Sequence, residues 1–175
     1  MKTADHLPPV LDACCSVRSF WFDRSDERVI FVDKRSGITI IQDAPNSKEH
    51  GRREYKVVPD VVCDFTVLPF PSETFAHVVF DPPHMTNSGD TGHMTAHYGK
   101  LTGGWQEMLR KGFAECFRVL RPEGTLIFKW NERDILVSDV LALTPEKPLY
   151  GHRSGKRSQT IWVAFLKSKT SVKIF

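Results

Sequence analysis

Four short apolar runs, each ending in or beside an aspartate, constrain this chain more than any other feature: "PVLD" closing on Asp12, "RVIFVD" on Asp33, "DVVCD" on Asp64 and "TFAHVVFD" on Asp81. A fifth run, "GTLIFKWN" (124 to 131), lacks the acid. The runs are mostly continuous rather than alternating, the pattern of strands covered on both faces of a parallel sheet. Between the fourth and fifth runs, Trp105, Met108, Leu109, Phe113, Cys116, Phe117 and Leu120 recur at steps of three and four, which predicts a helix closed by Arg121, Pro122 and Gly124. A second helix is expected over 132 to 143, stopped by Pro145. The segment "KPLYGHRSGKRSQTIWVAFLKS" predicts two strands around a basic turn, and the polar stretch 36 to 54 predicts a mobile loop with at most a short helix or strand. Strand and helix alternation followed by a terminal hairpin is α/β with a mainly parallel sheet.

At 175 residues and 41% hydrophobic, the chain is expected to form one domain, 1 to 175, with a real core and no separate target-recognition domain. No apolar run approaches the length of a membrane helix, and "MKTADHLPPVLDACC" has acids and prolines where a signal peptide carries an apolar core, so a soluble, cytoplasmic protein is expected. Cys14, Cys15, Cys63 and Cys116 show no C-x-x-C spacing; they read as reduced thiols, and no metal site is expected. The net charge of +3 is uneven: the last 29 residues hold seven Lys or Arg and no acid. Such a basic end suits either a phosphate-bearing partner or a solvated surface.

Ligands of open α/β sheets lie outside the carboxyl ends of the strands, so the residues that end each run carry the chemistry. Asp33 stands 21 positions after Asp12, the spacing at which a carboxylate accepts two hydrogen bonds from a ribose diol. Phe65 can lie against a flat ring while Asp64 accepts a hydrogen bond from an amine on that ring. Together these describe a nucleoside pocket.

In this order, "VLDACC", "VIFVDKR", "CDFTVLPFPSETFAHVVFDPPH" and "FAECFRVLRPEGTLIFKW" resemble the motifs of class I S-adenosylmethionine-dependent methyltransferases over residues 9 to 166. The resemblance implies a Rossmann-like fold, with a mainly parallel seven-stranded sheet, a C-terminal antiparallel hairpin and helices on both faces. It implies S-adenosylmethionine as cofactor, held by Asp12, Cys14, Cys15, Ser16, Asp33, Asp64 and Phe65. "DPPH" is similar to the [DN]-P-P-aromatic tetrad of enzymes that methylate exocyclic amines of nucleic-acid bases, adenine N6 above all, and small chains of this kind are met in phages and prophages. It would make Asp81, Pro82, Pro83 and His84 the catalytic corner. Asp81 and the Pro82 carbonyl each accept an N–H of the amine, turning its lone pair toward the methyl group, and two prolines add no competing donors. His84 stands where the family stacks the target base; it can stack, recognise a base by hydrogen bonds, act as a base itself, or be structural.

The chain departs from the family in its first motif, where Asp12-Ala13-Cys14-Cys15-Ser16-Val17-Arg18-Ser19 holds none of the glycines of D-x-x-x-G-x-G. Side chains at that turn restrict its geometry or the approach of the cofactor. Arg18 either reaches the cofactor carboxylate or is a surface arginine. In the glycine-rich stretch 85 to 104, expected to act as a lid or substrate grip, His93, Tyr98 and Lys100 are candidate substrate contacts, as are Trp130 and Asn131 at the end of the fifth run and Arg153 in the basic turn. The expected acceptor is DNA or RNA; a small-molecule amine, or a chain that has kept the fold and lost the chemistry, are the other readings.

Overall fold

The computed structural model describes residues 7–42, 51–86, 93–101, 103–155 and 158–169. The acid-terminated runs form β1 (Val10–Asp12), β2 (Val29–Asp33) and β6 (Phe75–Phe80); the third shrinks to β5 (Val61–Val62), leaving Asp64 and Phe65 in the loop beyond it. The fifth run is β7 (Leu120–Asn131), and the C-terminal pair is β8 (Tyr150–Arg153) and β9 (Thr160–Leu166). They make one seven-stranded sheet in the order β5-β2-β1-β6-β7-β9-β8. The first five lie parallel, and β9 runs antiparallel to both β7 and β8. Strand order reverses at β1, which lies between β2 and β6, and a crevice at the carboxyl ends there is the ligand position of a Rossmann-like sheet.

The predicted helix is α2 (Trp105–Val119), entered through Gly104 at φ 79°. It lays Leu109, Phe113, Cys116 and Phe117 on the sheet, where Phe113 meets Phe80 and Phe128 with ring centroids 5.3 and 5.0 Å apart. Trp130, Phe31, Phe75, Phe165, Leu120 and Leu126 are also fully buried. Gly112 brings the helix down onto those rings, since a Cβ there would stand 2.7 Å from Phe80 Cζ and 2.8 Å from Phe65 Cδ2. Gly112→Ala is therefore expected to destabilise the fold by about 1–2 kcal/mol in urea unfolding, because overpacking rigid rings outweighs alanine's better helix propensity. Unchanged stability would show that the rings yield freely.

Three expectations are corrected. Residues 37–42 and 52–57 form an antiparallel pair, β3 (Gly37–Gln42) with β4 (Arg52–Val57), where a mobile loop with at most a short helix or strand was predicted. "GITII" had the β-branched content of a strand, and its exposed Ile38 and Ile40 explain why it did not read as a buried one. The helix expected over 132–143 is only α3 (Val137–Leu141), because residues 132–136 are spent on other hydrogen bonds. There Glu132 accepts from the Val137 N–H, Asp134 from the Thr86 N–H, and the Ile135 carbonyl from Trp130 Nε1. The Arg121-Pro122-Glu123-Gly124 turn lies within β7 as an irregularity in its pairing with β6, with Glu123 at φ 59°. Between β1 and β2 the chain makes turns. The helix α1 (His93–Tyr98) interrupts the glycine-rich stretch. No helix among the described residues is long and apolar enough to cross a membrane.

Candidate active site

The strand ends at the switch point enclose a cavity of about 200 Å³. Cys14, Cys15 and Ser16 line it from the turn after β1, Asp33 from the end of β2, Phe65 from beyond β5, and Asp81 and Pro83 from the end of β6. Thr95 of α1, with Gly99 and Lys100 behind it, forms the opposite wall. Gly99 takes φ +76°, and a Cβ there would stand 3.1 Å from Pro83 Cγ, so the wall closes against the proline corner only because this residue has no side chain.

The glycine-free turn is made by ordinary residues in left-handed conformation: Ser16 has φ 50° and Arg18 φ 56°. Such conformations cost roughly 1–2 kcal/mol each for an L-residue, and hydrogen bonds offset this. The Ser16 N–H donates to Asp33 Oδ2 at 2.9 Å, and the Ser16 hydroxyl donates to the His97 carbonyl. Arg18 turns away from the cavity. Its guanidinium lies 3.7 Å from the Phe31 ring centroid and donates to the Val58 and Arg24 carbonyls, so it does not reach toward a cofactor carboxylate.

Asp12 lies behind the wall rather than on it. It is wholly buried, accepting from Trp21 Nε1 at 2.8 Å and from the Cys14 N–H at 3.2 Å, so it shapes the turn and does not line the cavity. Burial pushes its carboxyl up to about 7, against the lowering effect of those two hydrogen bonds. Burial also raises the Cys14 thiol, and raises Cys15 to about 12, which leaves both as neutral wall groups.

Asp33 is already engaged. Besides Ser16 it accepts from the Arg35 backbone N–H at 2.9 Å and from Arg35 Nε and Nη2 at 3.1 and 3.2 Å, which fills the four acceptor positions of a carboxylate. Arg35 also donates to the Ala96 carbonyl at 3.3 Å, and with Ser16 it ties the end of α1 across the cavity. Asp64 does not line the cavity; its side chain is 42% exposed and accepts from the Thr66 N–H and hydroxyl at 2.9 and 2.8 Å.

At the proline corner, Asp81 Oδ2 accepts from Lys129 Nζ at 2.5 Å, with side chains only 10% and 16% exposed. Burial pushes the Asp81 carboxyl up, and Lys129 opposes that. His84 is not a platform on the cavity wall: it is 7% exposed and sits edge-on to Trp130 at 6.1 Å. Its ring hydrogen-bonds the backbone of Pro82, and since proline has no N–H the imidazole must donate to the carbonyl. Burial, with Lys129 nearby, lowers His84 to about 4, so it is neutral at pH 7 and a weak base. The Pro82 carbonyl thus has a resident donor at the position predicted for the amine.

Of the predicted substrate contacts, Lys100 lines the cavity. Trp130 does not: it is fully buried, stacked on Phe128 at 5.8 Å, with its Nε1 bonded to the Ile135 carbonyl at 2.9 Å. Asn131 donates to the Thr160 hydroxyl at 3.0 Å. Arg153 is half-exposed on β8 and pairs with Glu132, away from the cavity. The side chains of His93 and Tyr98, and residues 156 and 157 of the basic turn, lie outside the described residues. Sequence reasoning missed Arg35, Thr95, Gly99 and Lys129. For Lys129 a signal existed, as the lone charge inside "TLIFKW".

No protein-family model and no curated protein matches the sequence. Solved structures match the fold. The PH0226 protein of Pyrococcus horikoshii OT3 aligns with a TM-score of 0.54 at 17% identity, over 91% of this chain and 81% of that one. A geranyl diphosphate methyltransferase in complex with GPP and sinefungin aligns at 0.50 and 15% identity, over 94% and 74%. These likenesses agree with the strand order in defining a Rossmann-like α/β fold.

Proposed function

We propose that this chain is an S-adenosylmethionine-dependent methyltransferase acting on an exocyclic amine, with a nucleic-acid base as acceptor. The observation that carries the reading is one cavity shared by two sets of groups. Ser16, Asp33 and Phe65 suit a nucleoside cofactor, and Asp81 with Pro83 presents an acceptor carboxylate at the adjacent strand end. The residues present fit the cofactor: Phe65 offers a ring and Asp33 a diol acceptor. The bound cofactor supplies an electrophilic methyl group. A cavity of about 200 Å³ is below the ~300–1,000 Å³ of small-molecule sites, so binding the whole cofactor requires the cavity to widen.

Titration calorimetry with S-adenosylhomocysteine tests the reading, together with label transfer from S-adenosylmethionine to single-stranded oligonucleotides. Absence of binding sinks it. The second reading, a fold that has lost the chemistry, has one observation in its favour, Arg35 seated on Asp33. Under the enzymatic reading the ribose diol replaces those bonds. Arg35→Ala is then expected to tighten S-adenosylhomocysteine about tenfold, the size of one charge-assisted hydrogen bond no longer broken on binding. Weaker binding in that variant would mean that Arg35 holds the ligand itself.

A further inference from the structure

Lys129 enters the corner through sheet register. Phe80 pairs with Phe128 on the parallel strands β6 and β7, so one step further along both chains Asp81 meets Lys129. Alternation along β7 sends Phe128 and Trp130 into the core and Lys129 to the other face, where Phe20 and Trp162 flank its ammonium with ring centroids at 5.4 and 5.7 Å. The ammonium takes Asp81 Oδ2, while no donor among the described residues reaches Oδ1.

We infer that Lys129 is a positioning residue that makes the corner selective for neutral aryl amines over alkylammonium acceptors, by holding Asp81 as a fixed carboxylate with one oxygen presented. This rests on the methyltransferase reading above. An alkylamine is an ammonium near pH 7 and must lose a proton before it can attack. Among the described residues of the corner no group is suited to take it: Asp81 is tied to a cation, His84 is a far weaker base than an alkylamine, and the ammonium of Lys129 repels a second positive charge. An aryl amine arrives neutral and needs only an acceptor for its N–H, which Oδ1 supplies. Its nitrogen lone pair forms the new N–C bond as the C–S bond breaks, with the bonding pair passing to sulfur and turning the sulfonium into a thioether. The arylammonium so formed is strongly acidic and gives its proton to Oδ1, and from there to water.

The test uses the full chain, labelled S-adenosylmethionine and two probes, an adenine- and cytosine-containing single-stranded oligonucleotide and a lysine-rich peptide. The wild type is expected to label the oligonucleotide and not the peptide. Lys129→Met is expected to slow that transfer about 100-fold with S-adenosylhomocysteine affinity unchanged, and Lys129→Arg to restore most of it. Label on the peptide, or Lys129→Met transferring like the wild type, overturns the inference alone. A wild type that binds S-adenosylhomocysteine yet labels neither probe overturns it too, and one that does not bind overturns the parent reading with it. If Lys129→Met fails to fold, the wild type's choice between the probes still decides.

Discussion

Asp81→Ala is expected to lower methyl transfer by about 10²–10⁴-fold while S-adenosylhomocysteine binds as before, because the variant removes the acceptor that draws on the amine's N–H and spares the cofactor wall. Asp81→Asn keeps a carbonyl acceptor and loses both the charge and the pair with Lys129, so it should fall between. Single-turnover rates at saturating cofactor separate this from a binding defect. One complication follows from the geometry. Removing the carboxylate leaves the Lys129 ammonium, 16% exposed, without the partner 2.5 Å away. Breaking a buried pair from one side destabilises by about 3–5 kcal/mol. The double variant Asp81→Ala with Lys129→Met removes the stranded charge, and it should recover stability without recovering rate. Recovery of rate in the double variant would show that Asp81 is only a counter-ion for Lys129.

The strands could be read from the sequence because burial on both faces leaves little room for polar residues, so β2, β6 and the second half of β7 stand out as apolar runs. The acids at their ends were legible for the same reason, as abrupt breaks in those runs. What the acids do was less legible. Asp12 and Asp33 stand at equivalent strand ends, yet one is sealed beneath Trp21 and the other faces the cavity with Arg35 laid over it. That difference arises in the turn from 13 to 28, whose path depends on left-handed Ser16 and Arg18, conformations that no local preference predicts for these residues. Lys129 was hidden differently. It is 48 positions from Asp81, and only the parallel register of β6 with β7 brings the two together. The motif left His84 open between stacking, base recognition, acting as a base and a structural role, because motif position does not specify a rotamer; the Pro82 carbonyl together with the edge of Trp130 draws it inward.

The sealed state of Asp12 leads to a pH effect that is large and opposite in sign to the usual behaviour of carboxylates. Its folded value of about 7 lies above the ordinary 3.8, so between these limits the native chain keeps a proton that the unfolded chain has released. The contribution of this group is most favourable below pH 4 and is lost as pH rises toward 7; above that, native Asp12 is also charged and the penalty levels off. Asp12→Asn keeps an oxygen for one of the two donors, Trp21 Nε1 or the Cys14 N–H, and removes the charge. In urea unfolding the variant should gain on the wild type by about 2–3 kcal/mol between pH 5 and pH 8, following the linkage of proton binding to folding. The neighbouring carboxylates of Asp33 and Asp81 push Asp12 in the same direction, so part of the effect should also be relieved in Asp81→Asn. A stability difference that stays flat across this range would mean that native Asp12 titrates like an unfolded aspartate, and that water or a moving Trp21 side chain reaches it.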